Sequence, residues 1–210
     1  NNLTATDITY VNGKYGKEMS FNGSTSYAQA SSPVIGTTGT VAVRFKRSGI
    51  GDTQYLFSNL NASTRTGVGL RFVELNALSI LVCSSSSAQQ VFRNTITDTD
   101  LYHTAILMID STNIYVSVDN GALYTVALTL TPATSITNLT VGCFVEKTQK
   151  FNGIISHFRY DSRVWTADEV RAWSLNPSVE DSIGFSATPE AGKAMVWPSE
   201  SSPGTPYSMP

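Results

Sequence analysis

Short runs rich in β-branched and aromatic residues recur about every ten residues along this chain, parted by Gly, Asn, Asp and Ser. They include EMSFNG (18–23), TVAVRFKR (40–47), TQYLFSN (53–59), VGLRFV (68–73), LSILVCS (78–84) and LYHTAILMID (101–110). NIYVSVDNG (113–121), LTVGCF (139–144) and FNGIISHFRY (151–160) follow. Runs of that length and spacing predict antiparallel strands in a sandwich or barrel. Alternation agrees. Val41, Val43 and Phe45 share one face, with Ala42, Arg44 and Lys46 on the other. Ile114, Val116 and Val118 do the same against Tyr115 and Ser117. The link 110–112 reads as a hairpin, Asp119-Asn120-Gly121 as a turn needing positive φ, and 84–90 (SSSSAQQ) as a hairpin tip.

Composition removes several function classes. The 14 basic and 16 acidic side chains are spread thinly, with no Lys/Arg stripe, so nucleic acid is not an expected partner. The longest apolar run, TAILMID (104–110), is strand-length, well short of the roughly 18 residues of a membrane span. Cys83 and Cys143 lack CxxC or Cys/His ligand spacing, which argues against zinc. They read as two buried free thiols, with a disulfide between neighbouring strands as the alternative. The chain begins at Asn1 without a signal-peptide pattern, as a mature or excised domain does. Five of its eight prolines fall in residues 178–210. The expected division is therefore a sandwich over 1–177 and a Pro/Ser-rich extension over 178–210, docking a strand near 193–199 (KAMVWPS).

One helix signal stands out in FNGIISHFRYDSRVWTADEVRAW (151–173). Thr166 and Glu169 form a Thr-x-x-Glu capping box, which starts a helix at Ala167 and carries it to 173. Trp165 before the cap and Val170 at the fourth helical position are placed as a hydrophobic staple. Along the strand before it, Ile154, Ser156 and Phe158 are expected to face one way.

Three collinear segments carry a resemblance. GKYGKEMSFNGSTSYA (13–28) is similar to a G-x-x-G-x-A-x-x-F-D-G-x-x-x-Y opening. LYHTAILMIDSTNIYVSVDNG (101–121) is similar to W-x-H-V-A-x-x-x-D followed by Y-V-D-G, and 151–173 to F-x-G-x-I-x-x-x-R-I-Y-x-R-x-L-S-x-D-E-I. Together they resemble the laminin-G-like, concanavalin A-like lectin/glucanase superfamily, close to its pentraxin-like branch. The resemblance implies an all-β antiparallel jelly-roll sandwich closed by one short C-terminal helix. It also implies a first strand before the G-x-x-G, for which residues 1–12 offer only Ile8, Tyr10 and Val11. That strand reads as missing or reduced, its place open to KAMVWPS.

Candidate chemistry is sparse. No E-x-D-x-E-like carboxylate set exists, and Asp98 and Asp100 read as turn formers, so catalysis is not expected. His103 stands where the resemblance implies a structural histidine, and His157 is the only other one. The pentraxin-like calcium loop corresponds to CFVEKTQKFNG (143–153), where Glu146 is the sole carboxylate and Lys147 and Lys150 oppose a cation. No cofactor is expected, and calcium would have only that weak candidate. A glycan site would combine an aromatic with Asn and Arg on a rim loop, which selects Tyr55, Asn59, Asn61, Arg65 and Arg71. The expectation is a non-catalytic module that binds a glycan or cell-surface receptor. Its setting would be extracellular or on a virion surface, in a phage tail, viral surface protein or bacterial adhesin. A structural virion module touching other subunits is the alternative, and a polysaccharide hydrolase or lyase the remote one.

Overall fold

A computed structural model describes residues 4–13, 16–30, 38–61, 63–64, 66–85, 87–130, 139–176 and 195–196. In chain order the strands are β1 (Thr4–Thr6), β2 (Thr9–Gly13), β3 (Gly16–Asn22), β4 (Tyr27–Ala30) and β5 (Gly39–Arg47). Next come β6 (Gln54–Ser58), β7 (Gly67–Val73), β8 (Ala77–Ser84), β9 (Ser87–Thr95) and β10 (His103–Ile109). Then follow β11 (Asn113–Val118), β12 (Tyr124–Ala127), β13 (Leu139–Val141), β14 (Asn152–Asp161), helix α1 (Ala167–Leu175) and β15 (Met195–Val196). One sheet runs β1-β4-β13-β6-β7-β8-β9 and the other β12-β11-β10-β5-β14-β3-β2, with β15 paired to β14 off that path. All pairings are antiparallel, which is the jelly-roll sandwich that the strand rhythm and resemblance imply.

The inward faces interlock through aromatic rings. Phe45 of β5 meets Phe72 of β7 edge-on at 5.5 Å, and Phe57 of β6 meets Phe158 of β14 at 6.1 Å. Each such side chain, removed from water, contributes about 1.5–3 kcal/mol. At the open edge Gln89 of β9 donates to the Ala127 carbonyl at 2.8 Å, and the Arg93 guanidinium lies 4.4 Å from the Tyr124 ring centre. These contacts tie the last strand of one sheet to that of the other.

The helix forms as the capping box predicts and runs two residues further, to Leu175. The Glu169 N–H donates to Thr166 Oγ1 at 3.3 Å, and the Thr166 N–H to Glu169 Oε2 at 2.7 Å. Arg163 also pairs with Glu169, and that pairing holds the carboxyl down at about 2. Trp165, Val170 and Trp173 pack on Ala42, Ile106 and Met108, closing part of the outer face of the second sheet. Beneath them the Trp165 indole N–H donates to buried Asp161 at 3.0 Å.

Four local expectations need correction. The register of β14 against β5 slips between Ile155 and His157, a bulge that adds one residue. Ile155, Phe158 and Tyr160 therefore share the core, while Ile154 falls on the other face. Strand β9 starts at Ser87, so the tip is far shorter than 84–90. The 119–121 turn, by contrast, takes positive φ as expected, on Asp119 (51°) and Asn120 (57°), whose short polar side chains tolerate it. Residues 4–13 supply two short strands, β1 on β4 and β2 on β3, so that end of the chain is not vacant. Within 193–199, Met195–Val196 pairs with Tyr160 and Arg159 of β14, beyond the stretch where β3 pairs. Neither cysteine is in a disulfide, and Cys143 is buried while Cys83 is only half-buried.

Candidate ligand-binding surfaces

The predicted rim residues separate into two groups. Asn59 and Asn61 build the β6–β7 connection. Asn59 Oδ1 accepts the Val68 N–H at 2.6 Å inside the protein, and Asn61 Oδ1 accepts the N–H groups of Ser63 and Thr64, each at 3.0 Å. Their oxygens serve the turn, so Asn/Ser/Thr richness there records hairpin chemistry. Arg65 lies outside the described residues. Tyr55 is not the exposed aromatic expected of it, with only 1% of its surface accessible. Phe144 covers it at 5.2 Å, and the ring lies so close to Gly69 that a Cβ there would come within 2.7 Å. Arg71 does meet Tyr55, donating to its hydroxyl at 3.1 Å.

Tyr55 and Arg71 nevertheless open a row that the sequence did not reveal. Cross-strand partners are Tyr55 with Arg71, Arg71 with Ser79, and Ser79 with Phe92. Leu70, Phe72, Leu78, Ile80 and Val91 point into the core, so this row faces outward. Three strand-to-strand steps give it a length of about 14 Å. Phe92 is 57% exposed, and the neighbouring Gln90 donates to Ser79 Oγ at 2.9 Å. An aromatic face, a guanidinium and an amide along one sheet can stack on the C–H face of a sugar ring and bond its hydroxyls. Phe92 and Gln90 were missed because β9 alternates weakly (SAQQVFRNT) and adjoins the serine run.

A second concavity of about 360 Å³ lies at one end of the sandwich, between the loops at 22–24, 52–54 and 147–152. Its walls include Ser24, Asp52, Gln54, Thr148, Gln149 and Asn152. The Asn152 side chain fits between two glycines. A Cβ at Gly23 would come within 2.8 Å of its Cβ, and one at Gly49 within 2.9 Å of its Nδ2. Gly23 also has φ +73°, so both space and backbone require glycine there. Gln54 is 5% exposed, yet its bonds are long, 3.5 Å to the Gly49 carbonyl and 3.4 Å from the Asn152 N–H.

The 143–153 loop, singled out above by the resemblance, forms one wall of this cleft. Glu146 is exposed and is not among the lining residues. Lys150 Nζ donates to the Thr25 carbonyl at 3.1 Å and lies 4.5 Å from the Tyr27 ring centre, with Lys147 Nζ at 5.3 Å from the same ring. Among the described residues no three His, Cys, Asp or Glu side chains gather to hold a metal.

Carboxylates elsewhere are already engaged. His103 bridges Asp119 (Nδ1, 2.7 Å) and Asp98 (Nε2, 2.9 Å), fixing the 98–101 turn to the end of β11. The Asp119 bond, offset by burial and helped by Asp98, raises the imidazole pKa. His157 goes the other way, down to about 4, through burial and the nearby Arg44.

Comparison with known proteins agrees with this architecture. Residues 22–171 match the sequence profile of the concanavalin A-like lectin/glucanases superfamily. Domain 4 of AbnA, a GH43 extracellular arabinanase from Geobacillus stearothermophilus solved with arabinotriose, superposes with a TM-score of 0.67 at 16% identity. That match covers 82% of this chain and 87% of the other. The botulinum neurotoxin serotype G binding domain gives 0.65 at 11% identity over 86% of this chain, which spans only 47% of that domain. The Ruminococcus gnavus IT-sialidase CBM40, bound to α2,3-sialyllactose, gives 0.57 at 14% identity, covering 66% of this chain and 83% of that one. At such identities the likeness establishes the fold. No curated protein matches the chain by sequence.

Proposed function

The chain belongs to the concanavalin A-like lectin/glucanases superfamily, and on that footing we propose that it is a non-catalytic recognition module that binds a glycan on the outer face of its β6–β9 sheet. The observation that carries this reading is the difference between the two outer faces. One is partly covered by Trp165, Val170 and Trp173, whereas the other presents Phe92 and the half-buried Arg71 on either side of the buried Ser79. The similar structures support a binding role, since two of them hold saccharides and a third is a toxin's binding domain.

Catalysis finds no support in the carboxylates. Asp98 and Asp119 have an imidazole hydrogen-bonded between them, and Asp161 is buried under Trp165. The setting we assign is extracellular, on a phage or viral surface or tail protein or a bacterial adhesin, in keeping with the thin charge and Ser/Thr-rich loops. A glycan array is the test. Specific, saturable hits support the module, and an array without any would remove the reading.

A second reading rests on β14, whose edge beside Arg159 and Tyr160 accepts Met195–Val196 as an added strand. An edge that takes such a strand suits a subunit that packs against neighbours. Sedimentation showing a ligand-free oligomer would favour an assembly role, and a monomer at all concentrations would count against it.

A further inference from the structure

We propose that the end cleft is a second site, separate from the sheet face, which binds the acidic group of a saccharide through ammonium groups. Three observations converge on it. The first is charge. Lys147 and Lys150 bring two ammoniums to one aromatic ring, Tyr27, and neither has a carboxylate within 4.0 Å among the described residues. Like charges gathered on one ring repel, and an anion between or beside them relieves that cost.

The second is polar geometry. The Asn152 side-chain amide makes no hydrogen bond to the described protein, although two glycines hold it in place at the cleft. Gln54, nearly buried behind it, makes only long bonds. An amide offers a donor pair and an acceptor, the set that a sugar's vicinal hydroxyls satisfy. The third is the mismatch with calcium. A calcium site needs six to eight oxygens, several of them carboxylate, whereas this loop supplies cationic nitrogen. Lysine acts as a flexible point charge, well suited to a carboxylate or sulfate with no metal between. Asp52, also lining the cleft, adds one acidic group, which orients a ligand carrying both an anion and hydroxyls.

The test uses the full chain and three hexose disaccharides that differ only at C6: hydroxymethyl, carboxylate and sulfate. Titration calorimetry is run in EDTA and again with calcium. At least one acidic sugar should bind ten-fold or more tighter than the neutral one, equally with and without calcium, and more weakly as salt rises. The Lys147→Ala/Lys150→Ala variant should lose that preference while still unfolding cooperatively, and Phe92→Ala should keep it. Which acidic sugar wins identifies the carboxylate or the sulfate as the group bound. The proposal is overturned by equal binding of all three sugars, by binding of none, by a preference that survives the double lysine variant, or by binding that requires calcium. Loss of the preference in Phe92→Ala instead would assign the anion to the sheet face, leaving that reading intact and ending this one.

Discussion

Arg71 donates a hydrogen bond to the Tyr55 hydroxyl at 3.1 Å while its guanidinium lies 5.5 Å from the centre of the same ring. The buried tyrosine thus fixes where the charge stands on the outer sheet, and Phe92 lies two strands away along that row. Removing Arg71 takes a glycan hydroxyl's donor and leaves the Tyr55 oxygen without its partner, at about 1–3 kcal/mol. Phe92→Ala removes a side chain that is more than half exposed. We predict that Phe92→Ala weakens binding of the best array glycan roughly ten-fold, a loss of about 1.4 kcal/mol, with little change in melting temperature. Arg71→Ala should lower both affinity and melting temperature. Titration and thermal melts of the two variants check this.

The capping box sets a second expectation. Thr166→Ala deletes the acceptor of the Glu169 N–H and should cost about 1 kcal/mol. Thr166→Ser keeps the oxygen and should lose much less. Chemical denaturation of both variants gives the comparison, and equal losses would mean that the methyl rather than the hydroxyl matters.

Asp161 is buried, accepts from the Trp165 indole at 3.0 Å and lies 3.6 Å from Arg163 Nε. Asp161→Ala should leave a buried indole N–H unsatisfied and destabilise the protein by about 1–3 kcal/mol. Trp165 should then turn more mobile and its fluorescence shift to the red. Asp161→Asn retains an oxygen acceptor and should recover part of the loss.

His103 supplies a pH dependence. Its folded pKa is raised, chiefly by the Asp119 bond. The imidazolium's contribution is therefore fully present below the unfolded value of about 6.5 and is lost as pH rises through the higher folded value. Relative to a His103→Gln variant, the protein should gain stability below that window and lose it above. A melting-temperature difference that stays flat between pH 5 and 9 would contradict this.

The sandwich and its helix were legible because their signals are local. Alternation in TVAVRFKR and the Thr166–Glu169 spacing each depend on a few adjacent residues, and β5 and α1 stand where those signals put them. The bulge after Ile155 was not legible, because a one-residue slip depends on how β14 meets β5 and leaves no mark in its own composition. Sites fared worse for the same reason. Tyr55 reads as a surface aromatic in sequence, yet Phe144, from a loop ninety residues away, covers it. Phe92 reads as unremarkable until β8 and β9 pair and set it beside Ser79. The cleft depends on Gly23, Gly49 and Asn152 meeting from three separate segments.

The central claim is that glycan recognition occurs on the open face of the β6–β9 sheet. Backbone amide chemical-shift mapping tests it directly, with the best array glycan titrated into the full chain. We predict that the largest perturbations fall on Arg71, Ser79, Gln90 and Phe92, with α1 unmoved. Perturbations centred on α1 and the 161–166 segment, or none along the β7–β9 row at saturation, would contradict the account.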